Sequence, residues 1–143
     1  DSLDLAAWLM EVLRPHLPAE LDGCRLLDLN ERFQVLCYLP GQSFPEHLDG
    51  CVHRDHGHQD CGAHSRVAIQ IYLHDVPKAH GGALTFFPGR KNELTVQPKA
   101  GTAVIFTQDL LHEGSLLLAG LKYTLRTEAM YQAPGNGSFE IQC

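Results

Sequence analysis

His47 and Asp49 stand two residues apart, and a second histidine, His112, follows far downstream in Leu111-His112-Glu113-Gly114. Two imidazoles and one carboxylate occupy one face of an octahedral metal ion and leave the opposite face to exchangeable ligands, the arrangement favoured by non-haem Fe(II) centres that handle oxygen. A His-x-Asp pair alone is a common accident, because alternate residues of any strand share a face. The rest of the chain has to decide.

A second cluster lies near the C-terminal end. In Lys122-Tyr123-Thr124-Leu125-Arg126-Thr127-Glu128-Ala129-Met130-Tyr131 the even positions are mostly polar and the odd ones mostly apolar. A strand there presents Lys122, Thr124 and Arg126 on one face. Two cations on one face make an anion site. A dicarboxylate bound to a metal through one end needs a cation and hydroxyl donors for the other, and Lys or Arg supplies charge-assisted hydrogen bonds. Arg grips a carboxylate through a planar fork whereas Lys acts as a point charge. The competing reading of Arg126 is a salt bridge at the sheet rim with Glu128 or Asp109.

These residues need a scaffold that brings distant strands together. Leu3, Leu5, Trp8, Leu9, Val12 and Leu13 recur at helical spacing until Pro15 and Pro18, which predicts a helix over about residues 3–14 packed outside a sheet. From Cys24 the texture becomes short β-branched and aromatic runs: Cys24 to Leu29, Phe33 to Leu39, Phe44 to Leu48, Arg66 to Leu73, Ala83 to Phe87, Glu93 to Val96, Thr102 to Phe106 and Leu121 to Tyr131, with a short piece at Gly114 to Leu118. Turn signals separate them at Pro40-Gly41, Gly81-Gly82, Pro88-Gly89, Pro98-Lys99-Ala100-Gly101 and Ala119-Gly120. About eight short strands with no helix between them predict a mostly-β chain: a double-stranded β-helix, jelly-roll or cupin-like, over residues 24–131 with an N-terminal helix. Residues 132–143, with Pro134-Gly135-Asn136-Gly137-Ser138, read as a flexible tail.

Size and charge narrow the function classes. The 143 residues suit one domain, residues 1–143, and no apolar run is long enough to span a bilayer. A formal net charge of -6 speaks against nucleic acid as a partner, since affinity for phosphates needs a basic face. Five cysteines, Cys24, Cys37, Cys51, Cys61 and Cys143, form no paired disulfide pattern behind a signal sequence. Reduced thiols are the expectation, which favours a cytoplasmic setting slightly while leaving localisation open. The first residue is Asp1 rather than Met, so the chain reads as a piece of a longer protein.

Three blocks stand in order along residues 30–131. The first is Tyr38-Leu39-Pro40-Gly41-Gln42-Ser43-Phe44-Pro45-Glu46-His47-Leu48-Asp49. The second is Ile69-Gln70-Ile71-Tyr72-Leu73-His74 with Gly81-Gly82-Ala83-Leu84-Thr85-Phe86-Phe87. The third runs from Pro98 to Phe106, through His112-Glu113-Gly114, to Gly120-Leu121-Lys122-Tyr123-Thr124-Leu125-Arg126-Thr127. Together they resemble the 2-oxoglutarate- and Fe(II)-dependent dioxygenases, specifically the prolyl 4-hydroxylase-like branch. The resemblance implies Fe(II) on His47, Asp49 and His112, 2-oxoglutarate and O2 as co-substrates, succinate and CO2 as products, and ascorbate as a reductant. It implies Lys122 as the anchor of the far carboxylate, with Arg126 as competitor. It also places Tyr72 and Tyr38 along the cofactor pocket, where Tyr38 is read equally well as a core residue. Related halogenases replace the carboxylate with a small residue, so Asp49 favours hydroxylation of a C–H bond. The branch acts on proline in peptides, while related folds oxidise small molecules; fold does not choose between them.

The segment Cys51 to His64 gathers two thiols and four imidazoles. Its spacing lacks the close Cys-x-x-Cys pair of structural zinc, and the resemblance makes it a mobile polar lid with Arg54 as a substrate contact. Arg32 either faces the pocket or caps the sheet edge. The rival functions are a non-catalytic metal- or dicarboxylate-binding cupin-like module and an iron cupin oxygenase that does not use 2-oxoglutarate.

Overall fold

The computed structural model describes residues 1–55, 58–90 and 92–133. Helix α1 (Leu3–Leu13) starts where the Ser2 hydroxyl accepts a hydrogen bond from Leu5 N at 3.2 Å, satisfying an otherwise unpaired amide, and gives way at Arg14 to a short 3-10 turn containing Pro15. Its buried stripe is Ala6, Leu9, Met10 and Leu13. The predicted helix is therefore present, but part of its apolar pattern faces outward: Leu3, Trp8 and Val12 are exposed, because a single sheet contact covers only one side of a helix.

Among the described residues ten strands follow: β1 (Glu20–Leu21), β2 (Cys24–Leu29), β3 (Gln34–Tyr38), β4 (Phe44–His47), β5 (His64–Tyr72), β6 (Leu84–Phe86), β7 (Leu94–Val96), β8 (Ala103–Thr107), β9 (His112–Gly114) and β10 (Lys122–Gln132). They form two antiparallel sheets. The larger runs β1-β2-β10-β5-β8 with β3 added against β10, and the smaller runs β4-β9-β6-β7. The eight principal strands lie where the alternating pattern puts them, within a residue or two at most ends. The two-residue β1 is too short to leave a periodic signal, and the piece expected at Gly114 to Leu118 lies earlier, at His112–Gly114. β10 runs on through Gln132, the first residue of the expected tail; residues 134–143 of that tail lie outside the described residues.

Strand alternation divides the core in two. Outward residues of the large sheet, among them Leu29, Val67, Ile69, Ala129 and Tyr131, pack under α1. Between the sheets, Ala68, Tyr72 and Phe106 of the large sheet meet Leu84 and Phe86 of the small one. The curled pair of sheets is the jelly roll expected, and β10 is its axis: β5 flanks one side of it while β3 and then β2 flank the other. Among the described residues no helix is long and apolar enough to cross a membrane.

Candidate active site

Pairing of β4 with β9 sets His47 directly opposite His112, so residues distant in sequence become cross-strand neighbours with ring centroids 4.2 Å apart. Asp49 follows β4, held by its backbone N–H on the carbonyl of Gln108 at 3.0 Å. The ligand atoms of the three side chains all lie within 4.8 Å of one another. Each imidazole engages a backbone carbonyl through Nδ1, His47 with Pro45 at 2.9 Å and His112 with Leu110 at 2.8 Å. That contact orients the ring and leaves Nε2 as the donor toward a metal. His47 Nε2 and Asp49 Oδ2 are buried and have no hydrogen-bond partner. Buried polar atoms without partners are unusual, and here they converge on one point. Burial lowers the pKa of His112, which keeps the ring neutral and competent as a ligand; Phe86 and Phe106 wall it off. The three residues fit a divalent transition ion.

A narrow cleft of about 20 Å³ continues inward between the sheets, lined by Tyr38, Gln70, Lys122 and Arg126 on one side and Phe44, Leu84 and Gly114 on the other. Lys122 stands opposite Tyr38 on the β3–β10 ladder, and Thr124 stands opposite Tyr72 on the β10–β5 ladder. Lys122 is 2% exposed, has no ion pair among the described residues, and lays its Nζ 4.5 Å from the centre of the Tyr38 ring. Burial alone pulls its pKa down to about 8. The Tyr72 hydroxyl and Thr124 Oγ1 are buried without hydrogen-bond partners, and burial pushes the Tyr72 phenol up to about 12. Gln70 is close enough to oppose that rise slightly without closing a bond to the phenol. A cation and two hydroxyls lacking partners fit an entering carboxylate. Gly82 borders the Lys122 stem: the backbone has φ +70°, and a Cβ there would clash with Leu117 Cδ1 at 2.8 Å while only touching Lys122 Cδ at 3.5 Å.

Three expectations change. Arg126 reaches neither Glu128 nor Asp109; its Nη2 donates to Asp49 Oδ1 at 2.7 Å, because the strand face that carries it points at the triad. Arg54 is not a free substrate contact. Its side chain is 7% exposed and pairs with Asp28 at 2.9 Å, Glu31 at 3.1 Å and Asp60 at 3.6 Å, a clasp that a buried guanidinium requires. Arg32 is exposed on the turn before β3, where its backbone N–H donates to Asn30 Oδ1, and it does not line the cleft. The expected polar lid is partly a hairpin: Arg54 N donates to Ala63 O at 2.9 Å and Ser65 N to Val52 O at 2.8 Å. His56 and Gly57 of that segment lie outside the described residues, among which no second group of metal ligands assembles.

The structure adds residues that the sequence reading passed over. An open cavity of about 530 Å³ borders Asp49 on its other flank and is lined by Leu48, Ser65, Arg66, Gln108 and Asp109, with Leu21 and Asp22 of the β1–β2 hairpin at its edge. Arg66 Nη2 meets exposed Asp22 at 3.3 Å while its Nε is buried without a partner. Two-residue alternation back from Tyr72 through Gln70 and Ala68 would have singled out Arg66. Gln108 ties the loop after Asp49 in place, donating to Gly50 O and accepting from Ser65 Oγ, both at 3.0 Å. Nothing local in sequence marks it.

The architecture is shared with solved structures. A Pseudomonas putida prolyl-4-hydroxylase is 26% identical with a TM-score of 0.62, over 91% of this chain and 65% of that one. The collagen prolyl hydroxylase of Paramecium Bursaria Chlorella virus-1, solved with 2OG, is 22% identical with a TM-score of 0.61, covering 91% and 74%. A Trichoplax adhaerens prolyl hydroxylase in complex with a hypoxia inducible factor peptide fragment is 18% identical with a TM-score of 0.64, covering 86% and 53%. The chain thus spans about two thirds of the first and about half of the last. No curated protein matches the sequence. The model of the 2OG-Fe(II) oxygenase superfamily matches residues 33–127, from the start of β3 through the polar face of β10, and with the converging donors and the jelly roll around them this chain belongs to that superfamily.

Proposed function

We propose that this chain is a non-haem Fe(II)- and 2-oxoglutarate-dependent dioxygenase that hydroxylates a C–H bond of a peptide or protein substrate, with a prolyl residue as the first candidate. The observation that carries this reading is the pairing of the His47, Asp49 and His112 donors with a buried, unpaired Lys122 beside two hydroxyls that lack partners. An iron cupin with no dicarboxylate to bind has no use for such a cation, whose burial without a counter-charge is costly.

When bound, Fe(II) with 2-oxoglutarate supplies the oxidation, coupling decarboxylation to succinate and CO2 with transfer of oxygen to the substrate. The protein contributes placement and exclusion. His47 Nε2, His112 Nε2 and Asp49 Oδ2 would hold the ion. Lys122, Tyr72 and Thr124 bind the far carboxylate, the lysine by charge and the hydroxyls by hydrogen bonds. Phe86 and Phe106 keep water from the His112 side. Substrate enters through the cavity on the Asp49 flank, where Arg66 is the available donor. The neighbours named as prolyl hydroxylases support the proline assignment, and the peptide carried by the Trichoplax structure supports a peptide substrate.

The test is an anaerobic titration of metal-free protein with Fe(II) and then 2-oxoglutarate. A weak visible charge-transfer band is expected on chelation, lost in His47→Ala and displaced to higher 2-oxoglutarate concentration in Lys122→Ala, followed in air by succinate formation that rises with a proline-containing peptide. Folded wild-type protein that binds iron and shows neither band nor succinate would overturn the reading.

A further inference from the structure

Two of the three donors in the triad have an outer atom fixed by the backbone: Pro45 O for His47 and Leu110 O for His112. The third is fixed by a side chain. Arg126 Nη2 lies 2.7 Å from Asp49 Oδ1, with the arginine side chain 15% exposed and the aspartate 6%. The opposite oxygen, Oδ2, is buried without a hydrogen-bond partner and lies 3.8 Å from His112 Nε2. The carboxylate thereby has one oxygen, Oδ1, held by Arg126 and standing 3.4 Å from His47 Nε2, and one oxygen with no hydrogen-bond partner. Arg126 sits between Gln34 and Gln70 on the two ladders of β10, so its backbone is fixed from both sides.

We propose that Arg126 is a positioning residue for Asp49, holding Oδ1 so that Oδ2 alone is presented to the metal ion. The inference rests on the metal-binding reading of the triad and assigns Arg126 a role other than cofactor anchor. An unrestrained carboxylate swings between one-oxygen and two-oxygen ligation. The second mode consumes a coordination position that an exchangeable ligand needs, and the hydrogen bond to Oδ1 opposes it. Arg126 commits Nη2 to Asp49, and Lys122 lies four residues, two strand repeats, away on the same face.

Arg126→Gln and Arg126→Lys, with wild type and His47→Ala, would be titrated with Mn(II) and then Co(II) without 2-oxoglutarate, with circular dichroism to confirm folding. Loss of a partner that orients a metal ligand typically costs about 10- to 100-fold in affinity. That loss is expected for the Gln variant, together with weaker Co(II) visible bands as a second carboxylate oxygen joins the ion. The Lys variant, which still donates to Oδ1, should recover most of both. Wild-type protein supplies a reading that needs no variant: the metal-loaded minus metal-free infrared difference spectrum should show the wide separation of carboxylate stretches typical of one-oxygen ligation. A two-oxygen pattern there would overturn the proposal even if the Gln variant failed to fold. So would a folded Gln variant that keeps Mn(II) affinity and loses only 2-oxoglutarate affinity, which would make Arg126 an anchor instead. Wild type lacking His47-dependent Mn(II) binding would overturn the metal-binding reading itself, a result distinct from either.

Discussion

Two buried cations invite comparison. Arg54 has a side chain 7% exposed and meets three carboxylates, from β2, the turn after it and the hairpin beyond Asp49. Lys122 is 2% exposed and meets none. Burying an ammonium or guanidinium without a partner costs several kcal/mol, so the first region solves a problem that the second leaves open. The clasp around Arg54 is complete within the chain and holds a hairpin to the large sheet. The cleft around Lys122 is incomplete by one carboxylate, a shape of deficit that a ligand, rather than folding, would fill.

The sharpest way to break the comparison is at the metal end. His112→Ala should abolish Mn(II) and Fe(II) binding, read by calorimetry, and with it succinate formation, because two remaining donors do not hold the ion at working concentrations. The Arg54 clasp should be untouched, so the melting temperature of metal-free protein should fall far less than the activity.

Next in size is Lys122→Met. Affinity for 2-oxoglutarate should fall about 100-fold, as expected when a charge-assisted contact in a dry site is removed. Metal affinity should hold and stability should rise. The pH dependence carries the same signature. Burial holds the folded-state pKa of Lys122 at about 8 against its ordinary 10.5, so the unfolded chain holds the extra proton between those values and folding stability climbs with pH across that window. Taken at face value the difference is on the order of 3 kcal/mol. Urea unfolding of wild type against Lys122→Met at pH 8 and pH 10 isolates it from the buried tyrosines, and parallel curves would remove Lys122 from the list of strained groups.

Arg54→Gln tests the other region. Leaving Asp28, Glu31 and Asp60 facing one another should cost about 2 kcal/mol, less than a fully buried pair because these carboxylates are partly exposed. Iron affinity at a temperature where the variant is folded should be native. Acid should act in the same direction: the Glu31 carboxyl is held below its ordinary value by a backbone hydrogen bond and then by Arg54, so its contribution is present above pH 4.5 and is lost as pH falls through the folded value. The smallest effect belongs to Arg32→Ala, expected within about 0.5 kcal/mol of wild type and with unchanged turnover, as for exposed side chains generally.

The positions of the strands were legible because they are written in residue type and short spacing. Alternation in Lys122 to Tyr131 located that strand and its polar face, whereas His47, Asp49 and His112 stand out only through the motif blocks around them. What the spacing could not carry is contact between distant segments. Arg126 and Asp49 are 77 residues apart, and Arg54 and Asp28 are 26 apart. Before the sheets close, each arginine looks like a surface cation near an active site, so Arg54 reads as a substrate contact and Arg126 as either a cofactor contact or a rim salt bridge. Burial and partner choice are properties of the closed barrel, which is also why Arg66 passed unnoticed: its alternation with Tyr72 is plain, but the cavity beside Asp49 exists only once the β1–β2 hairpin folds over.

The turn at Gly81-Gly82 reads in the sequence as punctuation between strands. Its second glycine borders the stem of Lys122, with a Cβ there only 2.8 Å from Leu117. Selection can therefore adjust the cofactor site from a position that has no functional group. In a saturation library scored for turnover, side chains at Gly82 should be disfavoured by backbone strain and by the Leu117 contact together, so Leu117→Ala should relieve them only in part. The active site is bounded in part by a side chain that is not there.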